Sequence, residues 1–544
     1  MAPPDAAAGS HPPAGTRTAR DAVVIGAGPN GLVAANLLAD AGWDVAVLEA
    51  QGEPGGAVRS DRGVHPDYVH DTFSAFYPLA AASPVLRDLG LERYGLRWSH
   101  APAVVGHPLP DGRCAVLSRD VERTAASLAR FSPADADAWY RLYDLWCRYG
   151  DDLVACLFTP FPPVRSGLRL AARARAAEGL RLARTLLLPA RRFGEEHFAG
   201  EGGRLLIAGN ALHADLGPES ALGGGFGWLM SMLGQAHGFP VPVGGAGRLT
   251  QALVARLLDR GGELRCGHAV TEVLVRDGRA VSVRTADGME TPVRRAVLAD
   301  VPAPLLYERL VGPEHLPPRL RADLSRFQWD FATVKVDWAL SRPIPWTCED
   351  AHGAGTVHVA DGVDALTRFG GQLAMEQVPD VPFTVLGQMT TADPSRSPAG
   401  TESAWGYTHV PQRIRSDAGD DGITGAWDAR EKDAIANRVE AGIERLAPGF
   451  RDAIEARRVL APPDLERLDA ALVGGAVNQG TTSLHQQLFF RPVPGDGRPR
   501  TPVRGLYLAS ATAHPGGGVH GAPGANAARA ALRTPRLPRR RRRP

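Results

Sequence analysis

A glycine-rich turn near the start of the chain has the spacing of a phosphate-binding site. The turn reads GAGPNG over residues 26–31, and an acid follows 18 residues after its last glycine. Glycines at these three positions permit a tight turn, the approach of a pyrophosphate to the backbone, and close packing of a helix on a strand. The helix N-terminus attracts phosphates, and the acid can bind ribose hydroxyls. The pattern predicts a dinucleotide site formed by Gly26, Gly28, Pro29, Asn30, Gly31 and Glu49.

The elements that would position this turn are visible in the hydrophobic pattern. Residues 22–25 form a short apolar strand, residues 32–41 have helical periodicity, and residues 45–48 form a second buried strand that ends at Glu49. The order and spacing of these elements predict a Rossmann-like unit, in which a strand, a glycine turn, a helix, a second strand and an acid follow one another. Both NAD and FAD bind to such units.

The next segment distinguishes between these two cofactors. Residues 55–60 read GGAVRS, which resembles the GG-R-x-S/T element of flavoproteins in the glutathione-reductase-like amine oxidase and phytoene desaturase superfamily. In that superfamily the paired glycines let a loop cross the FAD pyrophosphate. The resemblance implies that the cofactor is FAD and that further binding residues are Gly55, Gly56, Ala57 and Arg59. Ala57 stands where many members have arginine.

Two later segments carry the same resemblance. Residues 243–301 contain a Gly-rich turn, a helix over about 249–259 and three strands joined at Asp-Gly turns. In the superfamily this helix and meander complete the FAD domain, and the backbone near Val270 would meet the adenine. Residues 505–532 predict a strand over 506–509 and a helix from about Ala522. The N-terminus of that helix would face the N1–C2=O edge of the flavin.

The C-terminal stretch HPGGGVHGAPGANAA resembles the signature of phytoene desaturase-related oxidoreductases. It is most similar to the branch named pyridine nucleotide-disulfide oxidoreductase domain-containing protein. The resemblance implies cofactor contacts from Ser510, Gly521, Ala522 and Pro523, although superfamily members often have Gly-Asp in place of Ser510-Ala511. The five cysteines include no CxxC pair, so the sequence does not predict dithiol chemistry.

These segments predict an α/β fold with two interleaved domains. The expected FAD-binding domain is Rossmann-like, of the glutathione-reductase-like amine oxidase type, and comprises residues 21–80, 241–301 and 502–532. An α+β substrate domain would comprise residues 81–240 and 302–501. We expect residues 1–20 to form a disordered tail and residues 533–544 a basic tail.

Lysine is rare in this chain, which makes Lys335 a candidate catalytic residue. Only two of the 61 basic residues are lysines. The strand predicted over residues 331–340 resembles the amine-oxidase strand whose lysine reaches flavin N5 through a water. The alternative is a surface lysine on a sheet edge, where it would prevent edge pairing.

Residues 165–192 combine eight arginines with a series of leucines. This pattern predicts a basic amphipathic helix. Such a helix can lie on an anionic membrane surface. The alternative is a solvated cap helix that packs by its leucines.

Composition excludes several classes of function. The net charge is +2, and seven arginines lie between residues 533 and 543, so the rest of the chain is slightly acidic. We therefore expect no nucleic-acid partner. No apolar run is long enough for a signal peptide or a membrane-spanning helix, which predicts a cytoplasmic protein that is either free or peripheral to the membrane. HxxxH and GxSxG motifs are absent, so we expect neither a metal site nor a serine hydrolase.

The resemblance implies an FAD-dependent oxidoreductase with a hydrophobic small-molecule substrate. We expect it to dehydrogenate, or isomerise, a polyene or isoprenoid-like substrate by hydride transfer to flavin N5. Three alternatives stay open: a carotenoid ketolase, an amine oxidase that cages its substrate between Trp405 and Tyr407, and a non-catalytic prenyl- or lipid-binding escort protein. The sequence leaves the oligomeric state open.

Overall fold

The computed structural model of the chain describes residues 19–174 and 176–534. The expected tails therefore lie almost entirely outside the described residues. No helix in the described part of the chain has the length and apolar character needed to cross a bilayer.

Two large sheets organise the structure. Their strands, in chain order, are β1 Arg20–Ile25, β2 Val45–Leu48, β3 Ala103–Pro108, β4 Cys114–Leu117, β5 Glu263–Arg265, β6 Val270–Arg276, β7 Arg279–Thr285, β8 Glu290–Ala299, β9 Ala332–Leu340, β10 Ala354–Val359, β11 Thr384–Gln388, β12 Glu402–Val410, β13 Ile454–Leu460 and β14 Leu506–Leu508. Short two-stranded pairings join Ser60–Asp61 to His70–Asp71, Trp98–Ser99 to Val241–Pro242, and Gln377–Val378 to Ser416–Asp417.

The helices of eight or more residues pack on these sheets or on one another. Among the described residues they are α1 Pro29–Asp40, α2 Val121–Ala129, α3 Ala134–Phe158, α4 Val164–Arg173, α5 Ala176–Leu187, α6 Ala190–His197, α7 Glu201–Leu212, α8 Gly223–His237, α9 Gly247–Asp259, α10 Val363–Ala374, α11 Ala429–Leu446 and α12 Ala522–Leu532.

The first sheet has the order β6–β7–β8–β1–β2–β5, with β14 beside β8. The pairs β8–β1, β1–β2, β2–β5 and β8–β14 are parallel, whereas β6, β7 and the start of β8 form an antiparallel meander. The parallel strands are buried on both faces, which explains why β1 and β2 read as continuous apolar runs. Helices α1, α9 and α12 pack on one face. The strands of this sheet come from three separate parts of the chain.

The second sheet has the order β13–β9–β12–β11–β10–β3–β4. Helix α11 covers one face, and α7 and α8 pack over the other. The parallel strands of the first sheet and the helices packed on it confirm the predicted α/β class. The boundaries assigned to the two domains stay a prediction.

The single amphipathic helix expected over residues 165–192 is wrong. The structure has two helices there, α4 and α5, which are followed by α6. Helix α4 ends at Arg173, and the next residue, Ala174, has extended backbone and is buried against α3 and α5. Tertiary packing of Ala174 interrupts a run that helix propensity alone would continue.

A buried ion pair connects the two sheets. The Arg396 side chain donates to the carboxylates of Asp71 and Asp393, at 3.1 Å and 3.0 Å. Asp71 also accepts from the backbone N–H of Ala246, and Asp393 accepts from that of Gly244. Arg396 and Asp71 are fully buried. One guanidinium therefore joins the segments that precede α9 to the region of the second sheet.

We expect Arg396→Met to lower the free energy of unfolding by about 3–5 kcal/mol, because it leaves two buried carboxylates without their cation. Urea denaturation measures this change. The control is Arg415→Met, since Arg415 pairs with Glu376 at a side chain that is 69% exposed. Exposed pairs contribute about 1 kcal/mol or less. Equal effects of the two variants would contradict a structural role for the buried pair.

Candidate functional site

The turn between β1 and α1 brings three glycines into close contact with backbone. Gly26 has a φ of +91°, which favours glycine. A Cβ at Gly31 would lie 2.2 Å from the carbonyl oxygen of Gly26, and one at Gly28 would lie 2.6 Å from Asp300 Oδ2. Gly28 caps α1 without a side chain, and Pro29 occupies the first turn. Helix α1 therefore begins three residues before the predicted start, and its N-terminus is open to an anion.

Glu49 lies at the carboxyl end of β2, where the sequence places it. Its Oε2 accepts from the Ala27 backbone N–H at 2.7 Å, and its Oε1 accepts from the Gln51 N–H at 2.8 Å. These two bonds fix the carboxylate beside the glycine turn. Glu49 also lines the large cavity described below.

The diglycine loop packs directly on the glycine turn. Gly55 and Gly56 have φ values of +125° and +52°, and a Cβ at Gly56 would lie 3.1 Å from Gly28 Cα. Ala57 lines the cavity, whereas Arg59 does not. The Arg59 side chain donates to the carbonyls of Gly56 and Leu468 and to the Glu53 carboxylate. Arg59 thus holds the loop in place from behind, and its contact with a cofactor stays a prediction.

The C-terminal segment brings a second helix N-terminus to the same place. Gly521 has a φ of +70° and precedes α12. A Cβ at Gly524 would lie 1.9 Å from the carbonyl oxygen of Asn30, so α12 touches the first turn of α1 through backbone. Residues Gly517 to His520 and Val270 line the cavity. Ser510 is buried and bonds to Thr512, while Gly521, Ala522 and Pro523 are buried behind the lining.

Sequence reasoning missed Asp300, which lies at the centre of this arrangement. Its Oδ2 accepts from the Gly31 backbone N–H at 2.8 Å. Burial raises the pKa of Asp300 to about 8, against the opposing effect of that hydrogen bond. A carboxyl that is neutral at pH 7 can share a helix N-terminus with a phosphate without repelling it. Its position immediately after β8 was the available signal, because ligands bind at the carboxyl ends of parallel strands.

A second missed residue, Arg491, holds together two segments of the cavity wall. Its fully buried guanidinium donates to the Ala511 carbonyl and to carbonyls of residues 478–481. Asn478, Gln479 and Ala511 line the cavity. Burial lowers the pKa of Arg491 to about 10. No local motif marks this arginine, because its partners are carbonyl groups.

One cavity of about 1050 Å³ extends from the glycine turn to the second sheet. Its far walls come mainly from α3, α8 and the start of α4, and they are aliphatic and aromatic. They include Leu153, Leu157, Phe158, Phe161, Leu186, Phe226, Leu229 and Met230. Side chains of β9, β10, β11 and β12 form its floor.

Lys335 is part of that floor. It is 3% exposed, and β9 lies between β13 and β12. The edge-lysine alternative is therefore wrong. Its Nζ pairs with Asp337, which also accepts from Arg458 at 2.8 Å. Burial lowers the pKa of Lys335, and Asp337 opposes this shift.

Trp405 and Tyr407 also face the cavity from β12. Their rings are nearly parallel, with an interplanar angle of 10° and a centroid separation of 5.9 Å. Trp405 also lies beneath the Lys335 ammonium, with 5.9 Å between Nζ and the ring centroid. The two rings thus form one continuous aromatic surface next to the lysine.

The residues at the glycine turn fit the adenosine and diphosphate portion of FAD. Two helix N-termini lie close together there, and the turn is so tightly packed that a Cβ at Gly28 or Gly31 would collide with Asp300 or Gly26. Asn30 lines the cavity, and its buried Oδ1 has no hydrogen-bond partner in the part of the chain that the structure describes. Glu49 and Val270 would flank the adenosine. FAD, when bound, supplies an acceptor for a hydride.

We expect Glu49→Ala to weaken FAD binding by about tenfold or more, because a charge-assisted hydrogen bond contributes about 1.5–3 kcal/mol. Titration of cofactor-free protein with FAD, followed by flavin fluorescence, measures this affinity. Glu92→Ala is the control, since Glu92 is exposed and lies outside the cavity lining. Unchanged FAD affinity in Glu49→Ala would contradict the ribose assignment.

Comparison with known proteins agrees with this arrangement. The family described as flavin containing amine oxidoreductase matches residues 30–532. Pyridine nucleotide-disulfide oxidoreductase domain-containing protein 2 of Mus musculus is 29% identical and covers 93% of this chain and 92% of its own. Phytoene desaturase (neurosporene-forming) of Rhodobacter capsulatus is 25% identical, with coverage of 92% and 91%.

A solved structure of an oxidoreductase from Methanosarcina mazei superposes with a TM-score of 0.62 at 15% identity. It covers 94% of this chain and 100% of its own, so the fold is shared over nearly the whole molecule. The cofactor of the present protein is FAD. The chain belongs to the family of flavin-containing amine oxidoreductases.

Proposed function

We propose that this oxidoreductase dehydrogenates, or isomerises, a hydrophobic polyene or isoprenoid-like substrate by hydride transfer to flavin N5. The observation that carries the proposal is the cavity, which connects the glycine turn to walls made of leucines and aromatic side chains. Such walls bind an apolar substrate by the hydrophobic effect and exclude water. The similarity to a phytoene desaturase supports the same substrate class.

Lys335 is the proposed catalytic residue. Its ammonium borders the cavity, and Asp337 uses only one of its three N–H groups. The remaining hydrogens can orient a water molecule or hold a proton at the floor of the cavity. Because Arg458 also pairs with Asp337, the carboxylate keeps a cation partner if the lysine is replaced.

The caging geometry of an amine oxidase receives less support. A substrate group between two rings needs about 3.5–4 Å on each side, or at least about 7 Å between the rings. The Trp405 and Tyr407 centroids are 5.9 Å apart. A non-catalytic escort role is also disfavoured, since Glu49 and the glycines are all in place. A carotenoid ketolase would use the same cavity and is distinguished by its product.

We further propose that α4 and α5 dock on an anionic membrane surface. Each helix exposes an apolar stripe to solvent, with Val164 and Leu168 on α4 and Leu180 and Leu187 on α5. Their exposures are 60%, 66%, 73% and 50%. Exposed apolar patches of this kind mark interaction surfaces. Residues 161–192 contain eight arginines and one glutamate, so the surrounding charge attracts anionic lipid.

The same helices reach the cavity. Phe161 and Pro163 precede α4, and Leu186 lies in the last turn of α5; all three line the cavity. Arg165 and Arg181 are exposed and form no ion pair among the described residues. Arg175 lies outside those residues. A lipid-soluble substrate could thus pass from a bilayer to the cavity without crossing water.

Anaerobic mixing of the FAD-loaded protein with carotenoids, amines and lipid aldehydes tests the proposed reaction. We expect polyene or isoprenoid substrates to bleach the flavin absorbance, because they match the apolar walls. Product analysis after reaction in air separates the two reactions. A ketolase product contains a new oxygen atom, whereas a dehydrogenation product does not. Bleaching by amines alone would contradict the proposal.

The same assay tests Lys335. We expect Lys335→Met to slow flavin reduction or reoxidation by about 10²-fold or more, the usual contribution of a positioned proton-transfer group. Lys432→Met is the matched control, because the only other lysine of the chain pairs with Asp464 away from the cavity lining. Unchanged rates in Lys335→Met would remove the lysine from the mechanism.

Co-sedimentation with vesicles tests membrane docking. We expect binding to phosphatidylglycerol-containing vesicles and little binding to pure phosphatidylcholine. The double variant Leu168→Gln/Leu180→Gln should bind at least about tenfold more weakly, because burial of a leucine contributes about 1.5–3 kcal/mol. The control Leu258→Gln changes a leucine that is 52% exposed on α9. Equal loss in both variants would contradict the docking surface.

A further inference from the structure

The cavity floor contains a row of directly paired residues across four strands, of which the proposed reaction uses only Lys335. Lys335 pairs with Tyr407 across β9 and β12, Tyr407 pairs with Val385 on β11, and Val385 pairs with His358 on β10. Directly paired residues point to the same face of a sheet. Lys335, Tyr407 and Val385 line the cavity, and His358 lies beneath His213, which also lines it.

Two hydroxyl groups in this part of the floor, those of Tyr407 and Thr333, have no hydrogen-bond partner among the described residues. Tyr407 makes no hydrogen bond through its hydroxyl to any described residue, although its ring is packed between Trp405 and His409. Thr333 precedes Lys335 by two residues and therefore points to the same face of β9. Thr333 is 4% exposed, and its Oγ1 is buried without a hydrogen-bond partner.

Leaving the buried Thr333 hydroxyl unpaired is unfavourable, whereas a valine of similar shape would carry no such penalty. The Tyr407 side chain is half-buried and lines the cavity, so its hydroxyl is free to bond to an occupant of the cavity. The cavity lining also includes the apolar side chains of Leu229, Met230 and Phe239. A pure hydrocarbon could pair with none of the hydroxyls. Lys335 also keeps N–H groups that Asp337 does not use.

We propose that Tyr407, Thr333 and Lys335 form a subsite for an oxygen atom of the substrate, either a hydroxyl or a carbonyl. The proposal rests on the proposed function and narrows its substrate class to an oxygen-bearing isoprenoid. The apolar walls bind the carbon chain, and the subsite fixes its position along the cavity. A site built around such hydrogen bonds rejects the analogue that lacks the oxygen, because its own polar groups then stay unpaired.

Calorimetric titration of the FAD-loaded protein tests the subsite without turnover. The probes are farnesol and the hydrocarbon with the same C15 skeleton, each delivered in the same detergent. We expect the wild-type protein to bind farnesol about tenfold more tightly, which corresponds to one or two net hydrogen bonds. Tyr407→Phe should remove most of this preference and change the hydrocarbon affinity by less than about twofold.

Two further variants complete the experiment. Tyr77→Phe is the control, because Tyr77 lines the cavity but donates its hydroxyl to the Ser74 carbonyl at 2.9 Å; it should keep the preference for farnesol. Thr333→Val should reduce the preference independently of Tyr407. Flavin content and unfolding midpoints show that each variant is folded.

The outcomes separate the subsite from the proposed function. Equal affinities of the wild-type protein for both probes overturn the subsite alone, as does a full preference in both Tyr407→Phe and Thr333→Val. Failure of both probes to bind, together with no flavin bleaching by any isoprenoid, overturns the proposed function and the subsite with it.

Discussion

The structure depends on the close approach of two helix N-termini to one strand end. The backbone of α1 meets the turn after β1, and the backbone of α12 meets α1, at distances that exclude a Cβ at Gly31 or Gly524. Any side chain at either position would push a helix away from the sheet. With both helices in place, the α1 N-terminus offers its partial positive charge to a pyrophosphate, and the adjacent α12 N-terminus is expected to face the N1–C2=O edge of the flavin. The diglycine loop and Glu49 are then positioned by direct contact with that turn.

This constraint explains why three separate segments of the chain contribute to the same sheet. The cofactor region needs β1 and β2 from the beginning of the chain, β8 from the middle and α12 from the end. The intervening segments build the second sheet and its helices, which close the cavity over the cofactor. The fully buried ion pair between Arg396 and Asp71 joins the cofactor region to the region of the second sheet. The cavity therefore has a polar cradle at one end and apolar walls at the other.

Local sequence patterns were sufficient for the cofactor region. The strand predicted over residues 45–48 has the bounds of β2, and the Asp-Gly turns of the meander lie between β6, β7 and β8. These elements are determined by residues close together in the sequence and by the preference of Asp-Gly pairs for hairpin turns. The predicted start of α1 was three residues too late, because Gly28 and Pro29 begin the helix before its apolar face begins.

The rest of the site depends on contacts between distant residues, which periodicity does not contain. The strand that contains Lys335 was predictable. Its position inside the second sheet was not, because it depends on pairing with β12 and β13, which lie about 70 and 120 residues later. Arg491 is recognised only by its partners, and Asp300 is marked in the sequence only by its position after β8, because its contact with the Gly31 N–H joins residues far apart in the chain. The interruption between α4 and α5 has no proline or glycine to mark it, because packing of Ala174 causes it. The two domain boundaries and the contact of Arg59 with FAD stay predictions.

The most direct test of the account is the absorption spectrum of the protein purified without added cofactor, followed by chromatography of the nucleotide that denaturation releases. The account predicts a yellow protein with the two flavin bands and about one FAD per chain. A colourless protein that cannot be reconstituted with FAD, or one that releases NAD instead, would contradict it.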